Sequence, residues 1–306
     1  MKKAFSLLML IWVALVPAGG LAAEQGQQAA RKLKLYISAD MEGVVGVVTA
    51  EQLGPTGFEY ERAREFMTGE VNAAIAAAFE AGATEIVVAD SHGNGQSLLI
   101  EKLPSTVTIV RSWPRPLTMM EGIDDTFDGA LFLGYHTGTH NPKGVRAHTI
   151  SSGMIADLRL NDLSMSEASL NAAIAGHFGV PVIFVSGDDQ VVEETRRYLG
   201  DVEGAVVKWA IGFHSARTLT PERANEVIAE GVKRAIGRIG DFKPYKVRTP
   251  VRLDLRFKNY RPSEVFDYLP IVERPDSHSI RFVGKDMIEL SRFLQFVNEV
   301  GHNLQP

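Results

Sequence analysis

Apolar residues lie along the chain in short runs that alternate with longer amphipathic segments. Four short segments predict strands: 32–39, 84–89, 129–133 and 180–185. Two longer segments, 59–81 and 166–178, carry apolar residues at helical spacing, and each is followed by a glycine suited to a helix end. Short apolar strands separated by helices are typical of a parallel sheet whose faces are both covered. We therefore predict an α/β fold with a mainly parallel sheet and helices on both faces.

The pattern changes in the last third of the chain. Thr220 and Pro221 suit the start of a helix that runs to about residue 239, and 242–250 has the character of a linker. The segments 251–257 and 279–283 then predict two strands, followed by a helix from 285 to about 300. This arrangement predicts a catalytic domain over 32–243 and a smaller α/β subdomain over 244–306 packed on it.

The first residues have the layout of a secretory signal peptide. Two lysines precede an apolar run from Ala4 to Val16, and small residues follow up to Ala23. The run is shorter than the roughly 20 residues that a membrane-spanning helix needs. We therefore predict a signal peptide over 1–23 and a flexible lead-in over 24–31. The mature protein is expected to be secreted or periplasmic, with no stable membrane association after the leader is removed.

Composition narrows the chemistry that the chain can perform. Hydrophobic residues make up 45% and charged residues 23% of the chain, which argues against a disordered or fibrous protein. The absence of cysteine excludes disulfides, thiolate metal sites and cysteine nucleophiles. A formal net charge of −5 gives no reason to expect a nucleic-acid partner. Any metal ion must therefore be held by histidines and carboxylates.

Polar side chains follow three of the predicted strands at the point where each strand ends. Asp40 and Glu42 follow the first strand, His92 follows the second and His136 follows the third. In a parallel sheet the carboxyl ends of all strands lie on one edge, where ligands bind. Two carboxylates and two imidazoles suit Zn²⁺, Mn²⁺ or Co²⁺. A pair of such ions would share a bridging carboxylate and activate a water molecule for hydrolysis.

Other polar residues allow different interpretations. Residues 89–93 (ADSHG) nearly match the G-x-S-x-G elbow of serine hydrolases, which would make Ser91 a nucleophile, although the residues after it start a helix poorly. His148 follows a flexible stretch and could act at the sheet edge as a base or transition-state stabiliser, or it could be an ordinary surface or packed histidine. We expect His140 to face solvent and Asp188 to cap the helix that begins near Val191.

Several motifs in the chain resemble the zinc D-aminopeptidase family, known from dipeptide-transport operons. The resemblance extends from about Lys34 to the C-terminal helix. The motifs that carry it are 38–43 (SADMEG), 60–62 (YER) with Met67 and Thr68, 90–92 (DSH), 122–136 (GIDDTFDGALFLGYH), and Glu167 with 170–172 (LNA). The run that ends at His136 is the most specific of them. Around Glu167, the segment 165–169 (MSEAS) has serine on both sides where relatives often have glycine, which affects the expected shape of the pocket more than the ligand itself.

The resemblance implies a set of site residues. It implies two zinc ions per subunit, bound by Asp40, Glu42, His92, His136 and Glu167, with Asp40 bridging. It also implies that His148 is the catalytic histidine. In the family this histidine is regarded as a nucleophile. A role as a base or transition-state stabiliser is chemically preferable, because metal-activated water is the better attacking group. Without the resemblance, Glu167 would be taken for a first-turn glutamate favoured by the helix dipole.

We therefore predict an exported metallo-aminopeptidase that removes an N-terminal, D-configured residue from short peptides, with D-Ala-containing peptides as the natural candidates. The D-specificity and a homo-oligomeric assembly are implied by the resemblance alone. Two alternatives remain open at this point. One is another metal-dependent amidase or phosphoesterase that uses the same centre, and the other is a non-catalytic periplasmic peptide-binding protein.

Overall fold

The structure, a computed structural model, describes residues 32–304. The predicted signal peptide over 1–23 and the lead-in over 24–31 lie outside the described residues. The described part forms one compact unit built on two sheets. No helix in it is long and apolar enough to span a membrane.

The first sheet has seven strands and is mainly parallel, in the order β3-β2-β1-β4-β7-β8-β9. Its strands are β1 (Lys34–Ala39), β2 (Glu85–Asp90), β3 (Thr108–Val110), β4 (Gly129–Tyr135), β7 (Val182–Asp188), β8 (Glu203–Gly212) and β9 (Ser215–Thr218). Among the pairings of these described strands, only β8–β9 is antiparallel. The predicted mainly parallel α/β sheet is confirmed.

Helices cover both faces of this sheet. They are α1 (Tyr60–Glu80), α2 (Glu167–His177), α3 (Asp189–Leu199) and α4 (Pro221–Gly237). Because neighbouring strand residues point to opposite faces, Leu35 and Ile37 pack with α1 and α4, whereas Tyr36 packs in the core that contains α2 and α3. The strands are buried from both sides, which is why their sequences are nearly continuous apolar runs.

The second sheet has five antiparallel strands in the order β11-β12-β10-β5-β6. They are β5 (Ile155–Leu160), β6 (Leu163–Ser164), β10 (Val251–Phe257), β11 (Glu273–Asp276) and β12 (Ser279–Gly284). The helices α5 (Tyr260–Phe266) and α6 (Met287–Gly301) pack against it. Strands from 155–164 thus pair with strands from the C-terminal part, so both predicted domains contribute to this sheet. The boundary between 243 and 244 stays a prediction.

Candidate active site

Three neighbouring parallel strands bring the predicted ligands to one edge of the seven-stranded sheet. The strand β1 lies between β2 and β4, and Ala39 is in register with both Asp90 and Leu133. Asp40 follows β1 directly, and His136 follows β4 directly. The expectation that the three strand ends converge is therefore confirmed by the pairing.

Close backbone packing fixes the loop that carries Asp40 and Glu42. The Gly43 N–H donates to Gly134 O at 2.7 Å, and a Cβ on Gly43 would lie 1.9 Å from Tyr135 O. Only glycine fits this approach, which explains the glycine directly after Glu42 in the sequence.

Asp40 lies between two imidazoles. Its Oδ1 is 3.3 Å from His92 Nδ1, and its Oδ2 is 3.3 Å from His136 Nε2. Glu42 Oε2 approaches the same His92 nitrogen at 2.8 Å. All four side chains are buried. Asp40 thus occupies the position expected of a carboxylate shared between two ligand sets.

Glu167 and His148 complete the cluster from a different part of the chain. Glu167 is the first residue of α2, capped by Ser166, and its Oε2 lies 3.3 Å from His136 Nε2. Its Oε1 accepts the Ile150 N–H at 2.7 Å and lies 3.6 Å from His148 Nε2. The rings of His136 and His148 stack with their centroids 4.1 Å apart. All six predicted site residues therefore meet at one place, while their individual roles stay predictions.

Main-chain carbonyls set the tautomer of each imidazole. A carbonyl only accepts, so His92 Nε2 donates to Leu53 O at 2.7 Å, and His136 Nδ1 donates to Thr137 O at 2.9 Å. His148 Nδ1 donates in the same way to Arg146 O at 2.8 Å. The opposite nitrogens, His92 Nδ1, His136 Nε2 and His148 Nε2, face the carboxylates, and each has a lone pair to offer only when it carries no proton. Metal-binding histidines are oriented by hydrogen bonds of this kind.

Charge in the cluster is unbalanced without a cation. Burial and the neighbouring Glu42 raise the pKa of Asp40, whereas the imidazoles hold the pKa of Glu42 well below its ordinary value despite its burial. Burial would lower the pKa of His92 and of His136, but the adjoining carboxylates raise both well above the ordinary value. Three buried carboxylates thus attract positive charge, which protons or metal ions can supply.

The donor atoms fit a divalent metal. Two groups of three side chains each bring their nitrogen and oxygen atoms within 4.8 Å of one another. The first group is Asp40, Glu42 and His136, and the second is His136, His148 and Glu167. Asp40 Oδ2 and His136 Nε2 are buried and, apart from their ion-pair contacts at 3.3 Å, have no hydrogen-bond partner among the described residues. Buried polar atoms without partners are costly unless something binds them. Nitrogen and oxygen donors of this type suit zinc.

A cavity of about 620 Å³ opens over the cluster. Its wall includes Asn94, Trp113, Met119, Ile150, Ser151 and, from helix α6, Leu294, Gln295, Asn298 and Glu299. Pockets for small ligands have volumes of roughly 300–1,000 Å³, and the volume of this cavity lies within that range.

Comparison with known proteins identifies the family. The D-aminopeptidase family model matches residues 33–296. The chain belongs to the D-aminopeptidase family. A D-aminopeptidase of Bacillus subtilis is 35% identical over 269 residues, which cover 88% of this chain and 97% of the relative. The solved structure described as "Zn-dependent D-aminopeptidase DppA from Bacillus subtilis, a self-compartmentalizing protease" matches with a TM-score of 0.85 and 34% identity, covering 88% of this chain and 98% of that one. The predicted class, a hydrolase of the D-aminopeptidase type, is confirmed.

The serine-hydrolase interpretation finds no support within the D-aminopeptidase site. The Ser91 hydroxyl is buried, and its hydrogen-bond partners among the described residues are Ser38 Oγ, Ala89 O and Met119 O. None of these groups is an imidazole that could take the hydroxyl proton. The expected cap is present, because the Asp188 side chain accepts the Val191 N–H at 2.7 Å at the start of α3. His140 is exposed, as expected.

Backbone groups at the site were not foreseeable from residue types. Ser112, Thr118 and Ile150 line the cavity with φ angles of 66°, 52° and 64°. A β-branched residue such as Ile150 rarely adopts this conformation, and such strain concentrates at functional sites. The strained turn aims the Ile150 N–H at Glu167, and Leu53 supplies the carbonyl for His92. Neither residue has a side chain that would mark it in the sequence.

Proposed function

We propose that the protein is an exported D-aminopeptidase with two zinc ions per subunit, which removes an N-terminal D-residue from short peptides. The observation that carries the proposal is the position of Asp40, whose two carboxylate oxygens each lie 3.3 Å from a different imidazole. A carboxylate in that position can bridge two metal ions. The description of the solved relative as a Zn-dependent D-aminopeptidase supports zinc as the metal.

The proposed zinc ligands are Asp40, Glu42, His92, His136 and Glu167. When bound, a zinc pair supplies Lewis-acid polarisation of the scissile carbonyl and lowers the pKa of a water molecule. The carbonyls of Leu53 and Thr137 accept hydrogen bonds from His92 and His136 and so hold these two imidazoles in one orientation.

His148 is suited to proton transfer. Its Nδ1–H is fixed on Arg146 O, so the neutral ring presents Nε2 with a lone pair toward Glu167. The ring also lines the cavity, within reach of a bound peptide. We assign to it the uptake of a proton from the attacking water and its delivery to the leaving amine.

Export and assembly complete the proposal. The leader-like segment 1–23 precedes the family match, which begins at residue 33. We propose that the mature protein acts outside the cytoplasm on peptides that contain D-Ala. Since the solved relative is described as self-compartmentalizing, we also propose a homo-oligomer of this chain. Export is tested by measuring the mass of the protein recovered from the periplasm or the medium of the producing cell. A mass that lacks residues 1–23 supports export with cleavage, whereas an intact chain shows that the leader is not removed.

Parallel assays test the activity. D-Ala-D-Ala, L-Ala-L-Ala and a phosphodiester are offered to the purified protein before and after chelation and after zinc is returned. We expect turnover of D-Ala-D-Ala, lost on chelation and restored by zinc. Preference for L-Ala-L-Ala would contradict the D-specificity, and turnover of the phosphodiester alone would contradict the peptidase. Peptide binding that survives chelation, without turnover, would indicate a binding protein.

A further inference from the structure

Lys208 is a lysine with no exposed surface, on strand β8 of the seven-stranded sheet. Lysine is almost never fully buried unless its charge is compensated. Its ammonium group donates to three main-chain carbonyls, those of Glu42, Val44 at 3.1 Å and Val47 at 2.5 Å. These bonds use all three N–H groups of the ammonium.

All three acceptors belong to the loop that follows β1. This loop carries the proposed ligands Asp40 and Glu42, and it is buried over most of its length. A buried segment outside regular secondary structure must find donors for its carbonyls elsewhere. Lys208 meets that need at a single point, and one of the bonded carbonyls belongs to a ligand residue itself.

Buried carboxylates compensate the charge and hold the same region. Glu70 lies close enough to act electrostatically on Lys208, and its Oε1 accepts the Val45 N–H at 2.8 Å. Asp188 also acts on Lys208, and its Oδ2 accepts the Val145 N–H at 2.8 Å, three residues before His148. Lys208 and Glu70 therefore hold the main chain just after Asp40 and Glu42, and Asp188 holds the main chain just before His148.

Lys208 is not one of the described residues that line the cavity, so it does not touch substrate. We infer that Lys208 is a positioning residue, whose ammonium fixes the 42–47 loop so that Asp40 and Glu42 are placed for zinc before the metal binds. The inference rests on the proposed function, because it assumes that those two side chains are zinc ligands.

Zinc affinity tests the inference without using activity. Metal-free wild type, Lys208→Met and Lys208→Arg are titrated with zinc against a chromophoric chelator. Loss of a group that orients metal ligands costs roughly 10–100-fold in affinity, and we expect Lys208→Met to fall in that range. Lys208→Arg keeps the charge, but its planar fork cannot reach three carbonyls from one point, so a smaller loss is expected. If Lys208→Met does not fold, Lys208→Arg carries the test.

Leu255→Ala is the matched control, since Leu255 is fully buried in the five-stranded sheet. It should lower the melting temperature while its zinc affinity stays at the wild-type value. Wild-type affinity in either folded Lys208 variant would contradict the inference, as would an equal loss of affinity in Leu255→Ala. If the wild type itself binds no zinc, the proposed function fails, which is a distinguishable result.

Discussion

The edge of the seven-stranded sheet and the core of the five-stranded sheet are both buried, but the first consists of ionisable side chains and the second of apolar ones. At the edge, carboxylates and imidazoles lie together, and within the described part of the chain Asp40 Oδ2 and His136 Nε2 have no hydrogen-bond partner beyond their ion-pair contacts. In the other core, Leu253, Leu255 and Phe257 of β10 are buried among apolar groups. The rings of Phe282 and Phe293 stack there with centroids 4.1 Å apart.

The difference shows that the edge of the seven-stranded sheet contributes less to stability than the apolar core does. Unpaired polar atoms and strained backbone destabilise a fold unless a ligand binds them, whereas stacked rings and buried aliphatic groups stabilise it. Helix α6 belongs to both regions, because Phe293 packs in the apolar core and Leu294 lines the cavity. Variants at the edge should therefore change metal content and turnover, and variants in the apolar core should change stability.

Removing the proposed zinc ligands at the edge should have the largest effect. In the double variant His92→Ala, His136→Ala, both imidazoles that approach Asp40 are absent. We expect kcat/KM to fall by more than the roughly 10²–10⁴-fold that a general base contributes. Thermal unfolding in the presence of a chelator should show a variant that folds but is less stable than the metal-free wild type, because three buried carboxylates lose the imidazoles that compensate their charge. Wild-type kcat/KM in the folded variant would contradict the proposed role of the two imidazoles.

His148 should separate turnover from metal binding. His148→Ala is expected to lose about 10²–10⁴-fold in kcat, because proton transfer loses its carrier. Zinc content measured on the same sample should stay at the wild-type value, and His148→Gln, which keeps a polar group of similar reach, should behave alike. Loss of zinc in both variants would make His148 a ligand instead.

The apolar core should respond in the opposite way. Leu255→Ala is expected to reduce the free energy of unfolding by about 2–5 kcal/mol, as other buried leucine truncations do. Urea unfolding measures this loss, and kcat per folded molecule should not change. A specific loss of activity in this variant would show that the two regions are coupled.

The buried Glu70 of helix α1 should make the stability of the metal-free protein depend on pH. Burial raises its pKa to about 7, although the Val45 N–H and Lys208 act to lower it. Between its ordinary pKa of 4.5 and 7 the folded state holds a proton that the unfolded chain has released. Its contribution to stability is therefore fully present below about pH 4.5 and is lost as the pH rises through 7.

Glu70→Gln removes this titration and keeps an acceptor for Val45. At pH 8 the metal-free variant should be more stable than the wild type by up to about 3 kcal/mol, and near pH 4.5 the two should converge. Unfolding curves of both proteins across this range measure the difference. Parallel curves at all pH values would show that Glu70 titrates normally.

Much of the fold was predictable because its strands are buried on both faces. The predicted strand 129–133 and helix 59–81 correspond to Gly129–Tyr135 and Tyr60–Glu80. The strands β5 and β8 were not predicted. Strand β5 exposes Arg159, and β8 contains Lys208, so both interrupt the apolar pattern. The burial of Lys208 depends on carbonyls more than 160 residues away in sequence, which a local pattern does not contain.

The site was predictable to the extent that it depends on strand ends. Asp40, Glu42, His92 and His136 follow from a parallel sheet with polar residues after its strands. Glu167 required the family resemblance, because a glutamate in the first turn of a helix is ordinary. The Leu53 carbonyl and the Ile150 N–H are main-chain groups, and their placement is a property of the folded loops alone.

The zinc content of each chain shows whether the protein holds a two-zinc centre. The purified wild type is loaded with zinc, freed of excess metal and measured by elemental analysis, beside the double variant His92→Ala, His136→Ala. We expect two equivalents of zinc per wild-type chain and the loss of both in the double variant. A folded wild type that retains no zinc, or a double variant that retains two equivalents, would contradict the proposed two-zinc centre.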